Sequence, residues 1–266
     1  MDNISSIKVV ILAGGYGTRI SEETDLIPKP LVKIDTNPIL WHIMRHYSSY
    51  RLNNFIICAG YKSNKIIEYF FKISKNSIKL ASVKKHFLDK GYFVFQTFQN
   101  WKVTVVNTGL DTMTGGRIKK IKRFVKNDEY FHLTYGDGIS NVNFDNLLKI
   151  HLLNKCFATL TAVSQPNRFG LIKTKDNMIT SFEEKPFNEK ILINGGFFIL
   201  SPKIFELIKN KSTIWERDPL QRLASMKQLF FYHHKSFWYS MDTLRDKRYL
   251  SKLALLKNPP WLIKNE

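Results

Sequence analysis

An apolar, β-branched run at residues 7–12 stops abruptly at Ala13-Gly14-Gly15. A short run of this kind reads as a strand buried on both faces, the setting of a parallel sheet covered by helices. The following residues keep that rhythm. Pro38 suits the first turn of a helix, and Leu40, Ile43, Met44 and Tyr47 recur at helical spacing. Residues 55–59 form a second buried strand ended by Gly60, and 65–71 a further helix. Strand, helix, strand, helix specifies βαβ units and an α/β class. Strands are expected again over 102–107, 130–135 and 157–163, with helices over 115–125 and 144–154. Beyond these, 170–173, 179–183 and 196–200 read as strands and 202–209, 219–226 and 243–256 as helices. No linker composition interrupts the chain. The expectation is one domain over 1–266, with a first half to about 155, a second half over 156–242 and a C-terminal helix over 243–256.

Residues 73–100 break the rhythm with lysine-rich turns and five aromatics, Phe87, Tyr92, Phe93, Phe95 and Phe98. They read as an excursion from the sheet, either a lid or an oligomer contact, because large exposed apolar patches mark interfaces.

The charge balance narrows the partners. With 41 Lys+Arg against 22 Asp+Glu the formal charge is +19, which favours polyanions. The basic residues are dispersed and no RNA-recognition motif is present, so a nucleic-acid-binding protein is the weaker alternative. No apolar run approaches the ~20 residues a spanning helix needs. The N-terminus carries no basic stretch before an apolar one, and a cytoplasmic protein without membrane association is expected. Cys58 and Cys156 lie in apolar runs and read as buried thiols.

Three stretches carry chemistry. The first is Leu12-Ala13-Gly14-Gly15-Tyr16-Gly17-Thr18-Arg19, with Lys29 between two prolines. Glycines after a buried strand allow close backbone approach, and successive N–H groups there can face phosphate oxygens. Arg19 adds a planar fork of donors and Lys29 a point charge. No phosphate-loop string occurs, and Ile20 occupies the place of the last glycine in a dinucleotide fingerprint. The second stretch is Gly136-Asp137-Gly138 at a strand's carboxyl end, where ligands of open α/β sheets sit. Asp137 is either an Asp-Gly turn or a Mg²⁺ ligand, since Mg²⁺ takes oxygen donors. Asp242 is its candidate partner, or else a cap of the following helix. The third stretch, Glu183-Glu184-Lys185-Pro186 with Asn194-Gly195-Gly196, is either a solvated edge and a turn or a cation, carboxylate and amide around a sugar phosphate.

Taken together these stretches resemble the sugar-1-phosphate nucleotidyltransferases. Ser21–Thr24, Pro38–Met44, Met113–Arg117, Arg168-Phe169-Gly170, Trp215-Glu216 with Pro219-Leu220, and Met241–Lys247 resemble their glucose-1-phosphate cytidylyltransferase branch. The likeness spans residues 7–262. It implies a Rossmann-like mixed sheet flanked by helices, the glycosyltransferase-A-like nucleotidyltransferase fold. It also implies a homohexamer and the transfer of a cytidylyl group from CTP to glucose 1-phosphate with Mg²⁺. A uridylyl- or thymidylyltransferase is the alternative within the family. CDP-glucose of this kind commonly feeds nucleotide-sugar and polysaccharide synthesis.

Carried over by position, the resemblance assigns Leu12, Ala13, Gly14, Gly15, Tyr16, Gly17, Thr18, Arg19, Lys29, Thr112, Arg117 and Gly136 to the nucleotide. Gly170, Glu184, Lys185, Asn194 and Gly195 then face the sugar phosphate. Asp137 and Asp242 hold the metal opposite Arg19, and Arg19, Lys29, Asp137 and Lys185 are catalytic. The chain departs from the pattern at Tyr16, where an aliphatic is usual, and at Tyr239-Ser240, where a Gln-Pro pair is usual. His42, His46, His86 and His151 are given no chemical role.

Overall fold

Successive residues of the first strand face opposite ways, and that alternation sets up two cores. Val9, Ile11 and Ala13 pack into one apolar cluster and Val10 and Leu12 into another, on the two faces of one sheet. The computed structural model describes residues 6–75, 78–166, 171–175, 178–183 and 190–262. Its strands are β1 (Lys8–Ala13), β2 (Lys33–Ile34), β3 (Asn37–Pro38), β4 (Asn54–Ala59), β5 (Tyr92–Gln96), β6 (Lys102–Asn107) and β7 (Phe131–Tyr135). They continue with β8 (Gly138–Ser140), β9 (Ala158–Pro166), β10 (Leu171–Lys175), β11 (Met178–Glu183), β12 (Lys190–Leu200), β13 (Leu229–His234) and β14 (Trp238–Ser240). The helices are α1 (Ser21–Thr24), α2 (Ile39–Ser49), α3 (Ser63–Lys72), α4 (Leu80–Lys90), α5 (Thr114–Lys120), α6 (Lys122–Val125), α7 (Phe144–Asn154), α8 (Asp218–Ser225) and α9 (Leu244–Ala254).

Eight strands form the main sheet in the order β13-β9-β12-β7-β1-β4-β6-β5. β1 runs parallel to β4 and β7, β4 to β6, and β9 to β13. β12 is antiparallel to both β7 and β9, and β5 to β6, so the sheet is mixed as the resemblance implied. Apolar residues of α2, α3, α4, α7 and α9 fill one face. Those of α5, α6, α8 and the 3₁₀ turn Pro202–Leu207 fill the other. β1 lies between β7 and β4, where the chain order reverses, and the crevice above its carboxyl end is the expected ligand position.

Several sequence expectations need correction. Residues 73–100 are not an excursion from the sheet: within them α4 leads into β5, the edge strand beside β6. Phe87 and Phe95 are buried in the core, Phe93 packs against it, and of the five rings Phe98 is the one left exposed. Strand alternation stows the rings that clustering in sequence had suggested were displayed. The helix expected over 115–125 breaks at Ile121 into α5 and α6. In place of the helix expected over 202–209, Pro202–Leu207 wind as a 3₁₀ turn, and β13, a parallel neighbour of β9, has no counterpart among the expected strands. Among the described residues no helix is long and apolar enough to cross a membrane.

Candidate active site

The turn after β1 is held from beneath. Arg117 is buried, and its guanidinium donates to Thr108 Oγ1 (2.6 Å) and to the carbonyls of Gly14 (2.8 Å), Gly109 (2.8 Å) and Leu110 (3.1 Å). Burial draws Arg117 below its ordinary value, yet guanidinium stays charged at neutral pH. A Cβ on Gly14 would lie 2.2 Å from that guanidinium, so the first glycine makes room for Arg117. Gly17 has φ +70°, the left-handed region that favours glycine. Gly15 differs: its φ is not positive and a Cβ there would meet no atom within 4 Å. Nothing in the fold requires glycine at that position, which borders an open cavity.

That cavity, of about 490 Å³, is lined by every residue the resemblance assigned to the nucleotide: Leu12 through Arg19, Lys29, Thr112, Arg117 and Gly136. Arg117 is a wall of it, but four protein oxygens already take its donors. Across the mouth, Tyr16 Oη donates to Asp111 Oδ1 (3.1 Å), and the Tyr16 ring leans on Tyr61 at 5.2 Å.

Lys29 is a second buried cation of the site. Its Nζ donates to Asp137 Oδ2 at 2.7 Å and to Asp242 Oδ1 at 2.9 Å. Burial opposes its charge, but the two carboxylates outweigh burial and hold Lys29 above its usual value. For Asp242, burial pushes up, while Lys29, Ser240 and Arg19 together hold it below the usual carboxylate value.

A two-stranded ladder brings the carboxylates together. β14 pairs antiparallel with β8, Ser240 facing Gly138, and Met241 N donates to Asp137 O at 2.9 Å. Ser240 Oγ then steadies Asp242 Oδ2 at 2.8 Å. Asp242 is not the cap of α9; Thr243 fills that place in a capping box with Asp246. Arg19 is not opposite the pair as expected: its Nη1 reaches Asp242 Oδ1 at 3.2 Å.

A second cavity of about 360 Å³ adjoins the first and shares Arg19, Tyr135 and Asp137 with it. Asn194 and Gly195 line it. Asn194 Oδ1 accepts from Gly196 N at 2.8 Å, and the Gly195 carbonyl accepts from Trp238 Nε1 at 2.7 Å. Gly170, Glu184 and Lys185 lie outside the described residues. Sequence reading assigned no site role to Tyr135 or Glu216, which also line this cavity. Tyr135 directly precedes Gly136-Asp137-Gly138, and that adjacency was its available signal. His42, His46 and His151 are buried, and burial lowers each to about 4, so they are neutral packing groups.

Two joined cavities, with a buried lysine and two carboxylates at the junction, can hold two anionic ligands head to head. The chain matches the family described as Nucleotidyl transferase over residues 8–243. It is 44% identical over 256 residues to a glucose-1-phosphate cytidylyltransferase of Salmonella typhimurium, covering 96% of this chain and 98% of that one. It is 42% identical to a probable glucose-1-phosphate cytidylyltransferase of Bacillus subtilis, covering 93% and 96%. Its fold is similar to that of HddC from Yersinia pseudotuberculosis, with a TM-score of 0.67 at 23% identity, covering 92% of this chain and 98% of that one. The chain belongs to the nucleotidyl transferase family, on the branch occupied by the glucose-1-phosphate cytidylyltransferases.

Proposed function

We propose that the protein transfers the cytidylyl group of CTP to α-D-glucose 1-phosphate, releasing pyrophosphate and CDP-glucose. Identity to cytidylyltransferases along nearly the whole chain supports the substrates. The observation that carries the chemistry is the convergence of Lys29, Arg19, Asp137 and Asp242 where the two cavities meet. CTP lies in the cavity under the glycine turn, with Gly15 leaving room for close approach and Arg19 and Lys29 on its phosphates. The sugar phosphate lies in the neighbouring cavity against Asn194 and Gly195; the family resemblance adds Gly170, Glu184 and Lys185 to its contacts.

The acceptor phosphate oxygen attacks the α-phosphorus in line, and pyrophosphate leaves from the opposite side. A phosphate oxygen is anionic at pH 7, so no general base is required. The obstacle is repulsion, about 4 kcal/mol between two unit charges ~4 Å apart at an effective dielectric of 20. Arg19, Lys29 and Lys185 offset it, and they hold both phosphates in line.

The donor set fits Mg²⁺. Asp137 and Asp242 turn oxygens toward one point, the Lys29 ammonium, so a cation of higher charge has a place between them. Mg²⁺ is usually held by one or two carboxylates together with water and substrate phosphate oxygens, which is the share Asp137 and Asp242 would supply. Bound there, Mg²⁺ would neutralise charge building on the α-phosphate.

The protein acts in the cytoplasm, where CTP is, as a homohexamer. Ile191, Leu192 and Ile193, exposed in succession on β12, are in keeping with assembly. Pyrophosphate release measured across CTP, UTP, dTTP, ATP and GTP with several sugar 1-phosphates tests the assignment. Strong preference for CTP with glucose 1-phosphate is expected; preference for UTP or dTTP would move the chain to another branch.

A further inference from the structure

Glu216 has no part in the reaction as proposed, yet its carboxylate ties one substrate cavity to the other. Oε2 accepts from Thr114 Oγ1 and Oε1 from Tyr135 Oη, each at 2.6 Å. Those lengths are those of O–H···O⁻ bonds, among the stronger hydrogen bonds in proteins. Thr114 opens α5 and lines the nucleotide cavity. Tyr135 ends β7, precedes Gly136-Asp137, and lines both cavities. Glu216 itself lines the acceptor cavity. The tie extends one step further, since Asn194 Nδ2 lies 3.5 Å from Tyr135 Oη.

The directions of these bonds are determined. Thr114 Oγ1 accepts from Trp215 N at 2.9 Å, which turns its proton to Glu216. A carboxylate accepts and does not donate, so Tyr135 must also give its proton to Glu216. Two hydroxyl rotors, one in each cavity, are thereby set by one ionised group.

Holding α5 in place does not need this carboxylate. Met113 N and Gly116 N already donate to the carbonyls of Lys211 (2.9 Å) and Thr213 (3.2 Å). Gly115 and Gly116 let the helix lie directly on that segment: a Cβ on either would come within 2.8 Å or 2.3 Å of those same carbonyl oxygens. Glu216 is moreover exposed, unlike a packing residue. What its carboxylate adds is the register between the lip of the nucleotide cavity and the tyrosine beside Asp137.

We propose that Glu216 is a positioning residue of the transfer step, aligning the two bound substrates by holding Thr114 and Tyr135 at once. The inference rests on the nucleotidyl transfer proposed above. It acts on alignment, so its loss affects the ternary complex rather than the binding of either substrate by itself.

The test compares wild type, Glu216→Ala, the isosteric Glu216→Gln and Tyr135→Phe, with and without Glu216→Ala. CTP binding to the free enzyme is followed by calorimetry, and pyrophosphate release gives kcat and KM. Misalignment of about 1 Å can cost ~10²-fold in rate. The expectation is a kcat lowered by about that factor in Glu216→Ala, with CTP affinity within about twofold of wild type. Glu216→Gln keeps one accepting oxygen and should fall between the two, and it also serves if Glu216→Ala does not fold. Tyr135→Phe should cost little further once Glu216 is alanine. Unchanged kcat would overturn the proposal, and so would a loss of CTP affinity as large as the loss of kcat, which would make Glu216 a pillar of the nucleotide lip. Wild type that releases no pyrophosphate with any pair of substrates would instead sink the functional assignment.

Discussion

At the scale of single residues, the two neighbouring glycines of the first turn do different work, and paired substitutions separate them. Gly14→Ala forces the Arg117 guanidinium from its four oxygens, and hydrogen bonds to a charged group contribute about 1.5–3 kcal/mol each. A loss of about 2–3 kcal/mol in urea denaturation is expected, together with a damaged nucleotide cavity. Gly15→Ala meets no protein atom, so stability should hold while the KM for CTP rises. A stable, fully active Gly14→Ala protein would contradict the reading of Arg117. Asp137 is the second residue to change. Asp137→Ala should lower kcat by about 10²–10³-fold, as loss of a charge-stabilising group at a transfer site does. The melting temperature should move little, because Asp137 is partly exposed and Lys29 retains Asp242 as partner. Circular dichroism beside the pyrophosphate assay distinguishes lost chemistry from lost fold.

At the scale of elements, the site depends on one short ladder and one helix start. β8 and β14 are three residues each, yet their pairing carries Asp242 to Asp137. α9 begins immediately afterwards, and its capping box fixes where the strand must end. Asp246 accepts from Asp242 N (3.0 Å) and Thr243 N (2.8 Å), so the cap also holds the backbone of Asp242. Thr243→Ala should cost about 1 kcal/mol in denaturant unfolding. Thr243→Ser, which keeps the hydroxyl, should restore most of that, and an equal loss in both variants would argue against the cap. The capping box was there to be read, Thr243 with Asp246 three residues on, but Asp242 next to it offered the same chemistry. Only the ladder shows which of the two is free to face Lys29.

At the scale of the whole molecule, buried histidines set an acid limit. His42, His46 and His151 are lowered to about 4 and His132 to about 3, burial being the main cause in each case. An unfolded histidine titrates near 6.5. Between about pH 6.5 and 4 the unfolded chain therefore binds protons that the folded chain refuses, and folding stability falls as pH falls. Each such histidine costs about 1.4 kcal/mol per pH unit once well inside that window. Urea midpoints should be level above pH ~7 and drop steeply below ~6. Midpoints that stay level to pH ~5 would show these rings to be solvated or charged in the fold.

The α/β class, most of the strands and helices, and the glycine turn after β1 are legible in the sequence because each depends on neighbours in the chain. Alternation along a strand, the period of a helix and a glycine after an apolar run are local properties, and so are the motifs that carry the family likeness. The buried strand at 55–59 and the turn at Gly14-Gly15 were therefore readable residue by residue. Where the chain folds back on itself, local reading had little to use. The edge strand β5 looked like a displaced aromatic cluster, because Phe95 finds its partner in Phe70 of α3, well back along the chain. Lys29 meets Asp242 across 213 positions, through a ladder too short to leave a periodic signal. Glu216, an ordinary charged residue in its own segment, gains its place between the cavities only when α5 lies across it. Backbone preferences and side-chain periodicity act over a turn or two and determined the elements; burial and charge pairing act across space, and those decided the site.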